Sequence, residues 1–332
     1  MRLRDLPTNA ADLARAERMR ASVIARTGFT STDRIRIGPR YLIDQGRFGK
    51  QTAIFKMCIF TKSRHRETFE KFSREVLFLN FLQHSLRHRR LAAAVPAVYD
   101  SGLGTRPWYI REYVTGTPQN VRGGNVRVQP SFYTEANRAW LLSVLRDLQS
   151  IKERELPRAF QPFLYRPFTI AKIRGFMDPH ARRIDRTLNQ RGAYQNIVRA
   201  LRRRSRTYDH APRVFGHQEL YGPHILIDGS RRRLIDWENI GWSVPTSDPA
   251  TVWLRAHDRP AWQRAFHRSF ARTWSTYPRF EELWTTTVFV HAVFNVINLR
   301  FASNRADFIA LERVSERIVR AVLAGKRIVN NE

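Results

Sequence analysis

The sequence predicts an α+β fold in two lobes, a small β-rich N-terminal lobe followed by a larger helical one. Three observations carry that expectation. Apolar runs of strand length, separated by turn residues, crowd residues 35–116. Helical patterns dominate from Ala136 onward and are interrupted only over residues 214–238. The composition supplies a core for both lobes: 332 residues, 42% hydrophobic, with 21 Phe and eight Trp, far too apolar for a disordered chain. The expected divisions are a helical extension over residues 1–34, an N-terminal lobe over 35–116 and a C-terminal lobe over 117–332.

Taken in order, residues 8–27 suit a surface helix with Thr8 or Asn9 as N-cap and a ragged apolar face of Leu13, Met19 and Val23. The residues around Ile35 are ambiguous. Residues 40–44 and 51–60 read as strands of a hairpin, joined by the glycine-containing turn 45–50. Residues 67–86 carry a helical stripe of Phe69, Phe72, Val76, Leu79 and Leu82. Strands follow over 95–99 and 108–114 around the turn 101–104, then a Gly/Asn loop over 120–130 and a strong helix over 136–156. Two further short strands, 225–227 and 233–235, flank the turn 228–230. Residues 288–301, the most apolar late stretch, contain His291, Asn295 and Asn298 and are too short to span a bilayer, so they read as a core helix.

Charge and cysteine usage bound the setting. The formal net charge is +29, and of 58 basic residues only seven are lysine. Such a surface attracts anions of every kind: nucleotides, nucleic acid, phosphorylated sugars, acidic membranes. The arginine-rich stretches 87–90 and 200–206 read as solvated faces and lack the interleaved aromatics of a base-stacking platform. The single cysteine, Cys58, lies in an apolar strand and reads as a buried, inert thiol of a reducing compartment. Residues 1–30 show no apolar signal region, and no segment reads as transmembrane. A cytoplasmic chain is the expectation, with peripheral contact at the inner membrane face as an option.

Residues 214–253 carry the chemistry. They run Val214-Phe215-Gly216-His217-Gln218-Glu219-Leu220-Tyr221-Gly222-Pro223-His224, then Leu234-Ile235-Asp236-Trp237-Glu238, then Asp248-Pro249-Ala250-Thr251-Val252-Trp253. A tight loop before one strand and an acid after the next set Glu219, His224 and Asp236 at one end of a hairpin. Phosphoryl transfer needs that kind of set: a group to orient the acceptor hydroxyl, and ligands to hold a divalent ion against the phosphates.

This segment resembles the aminoglycoside phosphotransferase and choline-kinase-like families of the protein-kinase-like superfamily. Their catalytic loop reads His-Gly-Asp-Leu-His-x-x-Asn and is followed by an Ile-Asp-Trp/Phe-Glu metal motif. The resemblance implies His217 beneath the loop, Glu219 at the catalytic Asp position, His224 at the metal-binding Asn, Asp236 as the second metal ligand, and Asp248 bracing the loop. It further implies a nucleotide-binding N-terminal lobe in which Lys56 holds the phosphates, Glu75 pairs with Lys56, and Glu112 and Val114 form the hinge. ATP and Mg²⁺, with Mn²⁺ as an alternative, are the implied cofactors, and an unidentified hydroxyl compound is the implied acceptor.

The chain departs from the pattern at five places. No Gly-x-Gly-x-x-Gly loop is present, and Gln218 and Tyr221 replace a Gly and a His. Glu219 moves the carboxylate outward by a methylene, and His224 offers nitrogen where Mg²⁺ prefers oxygen. Four readings stay open: an active phosphotransferase, a pseudokinase, a lipopolysaccharide-type sugar kinase at a membrane, and a nucleic-acid-binding protein on a kinase scaffold. Trp237, Trp242, Trp253, Trp262, Trp274 and Trp284 read as core packing, and among them only Trp237 and Trp242 suit a substrate-facing role as the alternative.

Overall fold

The computed structural model describes residues 10–37, 40–121, 127–164, 168–298, 305–326 and 328. The chain opens with α1 (Ala10–Thr27), then β1 (Phe29–Ile37), β2 (Tyr41–Phe48) and β3 (Gln51–Cys58). Next come α2 (Arg66–His84), α3 (Arg89–Ala93), β4 (Val98–Gly102), β5 (Trp108–Glu112) and β6 (Thr117–Pro118). Helices α4 (Glu135–Gln149), α5 (Ile170–Met177), α6 (Ala181–Thr187) and α7 (Ala193–Asp209) lead to β7 (Val214–Gly216). Three short strands follow: β8 (Ile225–Asp228), β9 (Arg231–Leu234) and β10 (Gly241–Ser243). The chain closes on α8 (Ser247–Arg255), α9 (Pro260–Thr273), α10 (Phe280–Asn298) and α11 (Arg305–Leu323).

The chain divides into two compact units. The first comprises Met1–Thr117, Glu153–Leu164 and Leu226–Ile240, the second Pro118–Lys152, Tyr165–Ile225 and Gly241–Glu332. The β8–β9 hairpin therefore groups mainly with the N-terminal sheet, although it lies far along the sequence.

The core of the first unit is a five-stranded sheet in the order β1-β2-β3-β5-β4. Its β1–β2, β2–β3, β3–β5 and β4–β5 pairs are all antiparallel. The ambiguous stretch around Ile35 is edge strand β1, paired with β2 through two register irregularities. The turn placed at 45–50 is shorter: β2 runs to Phe48, and only Gly49 and Lys50 lie between the strands. Gly46 is a strand residue, and a Cβ there would lie 2.1 Å from the Thr30 carbonyl oxygen.

Helix α1 is less of a surface helix than its ragged pattern suggests. Val23 is buried against Phe29, Phe55, Met57, Trp108 and Ile110, and Leu13 packs on Ala16, Leu42 and Ile59. Arg20 and Arg34 both pair with the buried carboxylate of Asp44 on β2, which ties α1 and the edge strand to the sheet. The N-cap expected at Thr8 or Asn9 lies outside the described residues.

The second unit is helical around the two-stranded β7–β10 ribbon, in which Gly216 pairs with Gly241 and Val214 with Ser243. Helix α10 is buried along most of its length, from Phe280 to Ile297. Its Trp284 ring meets Trp253 of α8 edge-on, with centroids 6.0 Å apart. Among the described residues no helix is long and apolar enough to cross a membrane. Cys58 is fully buried, and burial pushes its thiol up to about 12.

Candidate active site

In the first unit, β3 alternates so that Phe55 and Met57 enter the core beneath α1 while Lys56 points to the opposite face. Lys56 lies between Ile43 of β2 and Tyr109 of β5 in register. Its Nζ donates to Oε2 of Glu75 on α2 at 2.8 Å, and both side chains are buried. Three rings surround the ammonium: Tyr41 at 4.6 Å, Phe72 at 5.3 Å and Tyr109 at 5.8 Å from Nζ to ring centroid. Burial works against the charge, but Glu75, then Tyr109, Asp236 and Tyr41, outweigh it and hold the ammonium well above its ordinary range. Lys56 is thus a permanent cation in a cage of one carboxylate and three π faces.

Asp236 lies two residues beyond the end of β9 and belongs to the same unit. Its backbone is left-handed, with φ +66, a conformation Asp tolerates better than most residues. The next residues lock the segment in place. Trp237 is 0% exposed, its ring 4.9 Å from Phe78, and its Nε1–H donates to the Leu234 carbonyl at 3.0 Å. That burial makes Trp237 a packing residue and sets aside the substrate-facing alternative. Glu238 accepts from the Tyr41 hydroxyl at 2.6 Å and pairs with Arg40 at 3.4 Å, while its carbonyl accepts from buried Arg74 at 2.6 Å.

The part that Tyr41, Tyr109 and Phe72 take in the site was not read from the sequence. Their only signal was the strand register and helical stripe that set them around Lys56 and Glu75. Glu112 accepts the Ala97 N–H at 3.2 Å and lies 3.8 Å from Arg233, so its side chain ties β4 and β9 together. Val114 is half-buried just beyond β5.

In the second unit, the loop after β7 is organised by Asp248. Its two oxygens accept the N–H groups of His217 at 2.7 Å and Gln218 at 2.8 Å. Burial pushes the Asp248 carboxyl up to about 6, although those two N–H bonds act the other way. A Cβ at Gly216 would lie 2.7 Å from Ser243 Oγ and 3.0 Å from Asp248 Oδ2, so the approach of α8 to this strand needs glycine. Gln218, at φ +65, stands where the family pattern has glycine, and the left-handed backbone explains that pattern.

His217 is buried, and its Nδ1 accepts the Glu219 N–H at 3.3 Å. His224 Nδ1–H donates to the Glu219 carbonyl at 2.8 Å, and its ring packs on Tyr221 with centroids 4.3 Å apart and planes tilted by 40°. That bond makes Nε2 the acceptor nitrogen of His224, the form an imidazole takes when it binds a metal. The loop thus brings His217, Glu219, His224 and Asp248 together. Arg255 of α8, which the sequence reading missed, lies over the Tyr221 ring at 5.0 Å.

Comparison with known proteins gives the class. The sequence model of the Phosphotransferase enzyme family matches residues 38–283. The chain belongs to that family. Comparison with curated proteins finds no match. Among solved structures, a putative aminoglycoside phosphotransferase from Ralstonia eutropha JMP134 aligns with a TM-score of 0.57 at 13% identity, covering 91% of this chain and 95% of that one. A thermostable mutant of aminoglycoside phosphotransferase APH(4)-Ia, in complex with AMP-PNP and hygromycin B, aligns at 0.54 and 14% identity, covering 91% and 98%. ADP-bound aminoglycoside phosphotransferase APH(2'')-Ib aligns at 0.54 and 11% identity, covering 94% and 98%. At these identities the likeness establishes the kinase-like α+β fold.

Proposed function

We propose that this chain transfers the terminal phosphate of ATP to a hydroxyl group of a small molecule. The observation that carries this reading is the buried Lys56–Glu75 pair with the charge of Asp236 acting on it, the arrangement that cradles nucleotide phosphates. In this reading Lys56 holds the phosphates, Asp236 binds the divalent ion, and Glu219 orients the acceptor hydroxyl or accepts its proton. Asp248 and His217 keep the loop in shape. Glu112 and Val114 take the hinge position beside the nucleotide base.

The imidazole of His224, at the metal-binding position of the loop, shifts the preference from Mg²⁺ toward Mn²⁺. When bound, the ion neutralises charge on the phosphates. Two of the solved structures named above hold a nucleotide, APH(2'')-Ib with ADP and APH(4)-Ia with AMP-PNP and hygromycin B. An acceptor rich in amines is a poorer match to a surface of net charge +29, so a neutral or acidic hydroxyl compound is favoured here. A lipid-linked sugar is one such compound.

The test is thermal denaturation with millimolar ATP and Mg²⁺ or Mn²⁺, followed by ATPase and transfer assays. A ligand bound only to the folded state raises the melting temperature by mass action. We expect a rise in wild type, greater with Mn²⁺ than with Mg²⁺, and a reduced rise in Lys56→Ala and Asp236→Ala. Glu219→Gln is expected to lower turnover by roughly 10²-fold or more, the scale of general-base loss. A second reading, a pseudokinase that binds nucleotide without turning it over, is favoured by His224 and Glu219 standing where the family has Asn and Asp. It predicts the thermal shift with no turnover above background.

A further inference from the structure

The arginine run at 200–206 has no part in the phosphoryl-transfer reading, and the second unit gives it a setting. Helix α7 buries Ile197, Val198, Ala200, Leu201 and Tyr208, leaving Arg199, Arg202, Arg203 and Arg206 exposed. Two of these, Arg199 and Arg203, line a cavity of about 570 Å³ together with Arg320 of α11. Gln190, Asn196, Leu323 and Ala324 complete the lining, and no carboxylate is among them. Arg199 donates to the Asn196 side-chain oxygen at 2.8 Å, and Arg320 donates to the Leu188 carbonyl at 2.6 Å. Among the described residues, none of the three guanidiniums is in an ion pair. Charge crowding is felt nearby: burial, and after it the charge of Arg203, lowers the affinity of Arg204 for its proton.

We propose that this cavity between α7 and α11 binds a small phosphate-bearing molecule, at a site separate from the phosphoryl-transfer residues. Three guanidiniums converging on one concavity, two of them oriented by neutral acceptors, match the forked geometry that phosphate oxygens accept. The volume is that of a small-molecule site, and the amides of Gln190 and Asn196 supply polar contacts for a sugar-sized body. A single-stranded nucleic acid would call for aromatic platforms, and none lines the cavity. None of the lining residues is among those assigned to nucleotide, metal or acceptor.

The proposal is tested by calorimetry on the full chain at 0.15 M salt, with glucose 6-phosphate, inorganic pyrophosphate and glucose as probes. Lys56→Ala serves as background, so that pyrophosphate held at the nucleotide site does not count. We expect saturable one-site binding of the two phosphate probes and none of glucose. Arg199→Ala/Arg203→Ala is expected to weaken binding at least tenfold, whereas Arg202→Ala/Arg206→Ala, the same charge loss on the same helix outside the cavity, leaves it unchanged. Arg320→Ala provides an independent check on α11. Equal loss in the two double variants would reduce the site to nonspecific surface charge and overturn the proposal. So would absence of saturable binding, or tighter binding of a single-stranded RNA that depends on Arg202 and Arg206.

Discussion

Lys56 keeps its charge where an isolated ammonium would lose it, because Glu75 and three aromatic faces replace water around it. The pair is therefore sensitive to removal of either half. Lys56→Met leaves Glu75 buried without its cation and is expected to cost about 3–5 kcal/mol in chemical denaturation. Lys56→Met/Glu75→Leu should recover most of that loss, yet neither variant should show the ATP-dependent rise in melting temperature. A Lys56→Met protein as stable as wild type would contradict the cage described above. Gln218 illustrates the reverse case, a residue held in an unfavourable conformation by its neighbours. Left-handed backbone costs a side-chain-bearing residue about 1–2 kcal/mol, part of which glycine's extra unfolded-state freedom cancels. Gln218→Gly is accordingly expected to raise stability by up to about 1 kcal/mol, whereas Gln218→Val should lower it, both read by thermal melts.

Two helices of the second unit carry titrating groups whose effects oppose each other. On α8, the carboxyl of Asp248 is raised from 3.8 to about 6, so the folded state holds its proton more tightly than the unfolded chain does. This group makes stability fall as pH rises from about 4 to about 6. On α10, burial, assisted by the charge of Arg255, lowers His291 from 6.5 to about 4, so the folded state binds its proton less readily. That group makes stability rise between about 4 and 6.5. Asp248→Asn should unmask the rising limb of His291, and His291→Gln the falling limb of Asp248, in denaturation series between pH 4 and 7. Parallel pH profiles for the two variants would refute this pairing.

At the same scale, the sequence showed some elements clearly and hid others for identifiable reasons. The β2–β3 and β8–β9 hairpins and helix α2 were legible because their apolar spacing is dictated by local geometry. Lys56, Glu75 and the loop residues were legible because motif spacing survives even where side chains change. Gly46 misled as a turn signal, since its missing Cβ serves close approach of β1 and not chain reversal. The burial of α1, the ring cage around Lys56 and the grip on Glu238 depend on partners far apart in sequence. No window of local periodicity contains them.

For the molecule as a whole, the net charge of +29 makes long-range attraction to polyanions unavoidable at low ionic strength. Association with RNA or acidic vesicles should follow counterion release and weaken by about 10³-fold or more between roughly 50 and 200 mM salt. Filter binding or vesicle sedimentation over that range checks it. RNA affinity that survives high salt with sequence preference would point away from the phosphotransferase reading. Nucleotide binding, seated on the Lys56 cage, is expected to be far less salt-sensitive, so the two behaviours separate cleanly.

The lone thiol of Cys58 lies two residues beyond Lys56, sealed in the sheet and protonated at any physiological pH. A maleimide or disulfide reagent can reach it only when the first unit opens. Its labelling rate is thus a built-in clock for that opening, read without adding a probe and without a competing cysteine. If ATP rests on Lys56, saturating nucleotide should slow the clock in wild type and leave it running at the same rate in Lys56→Ala.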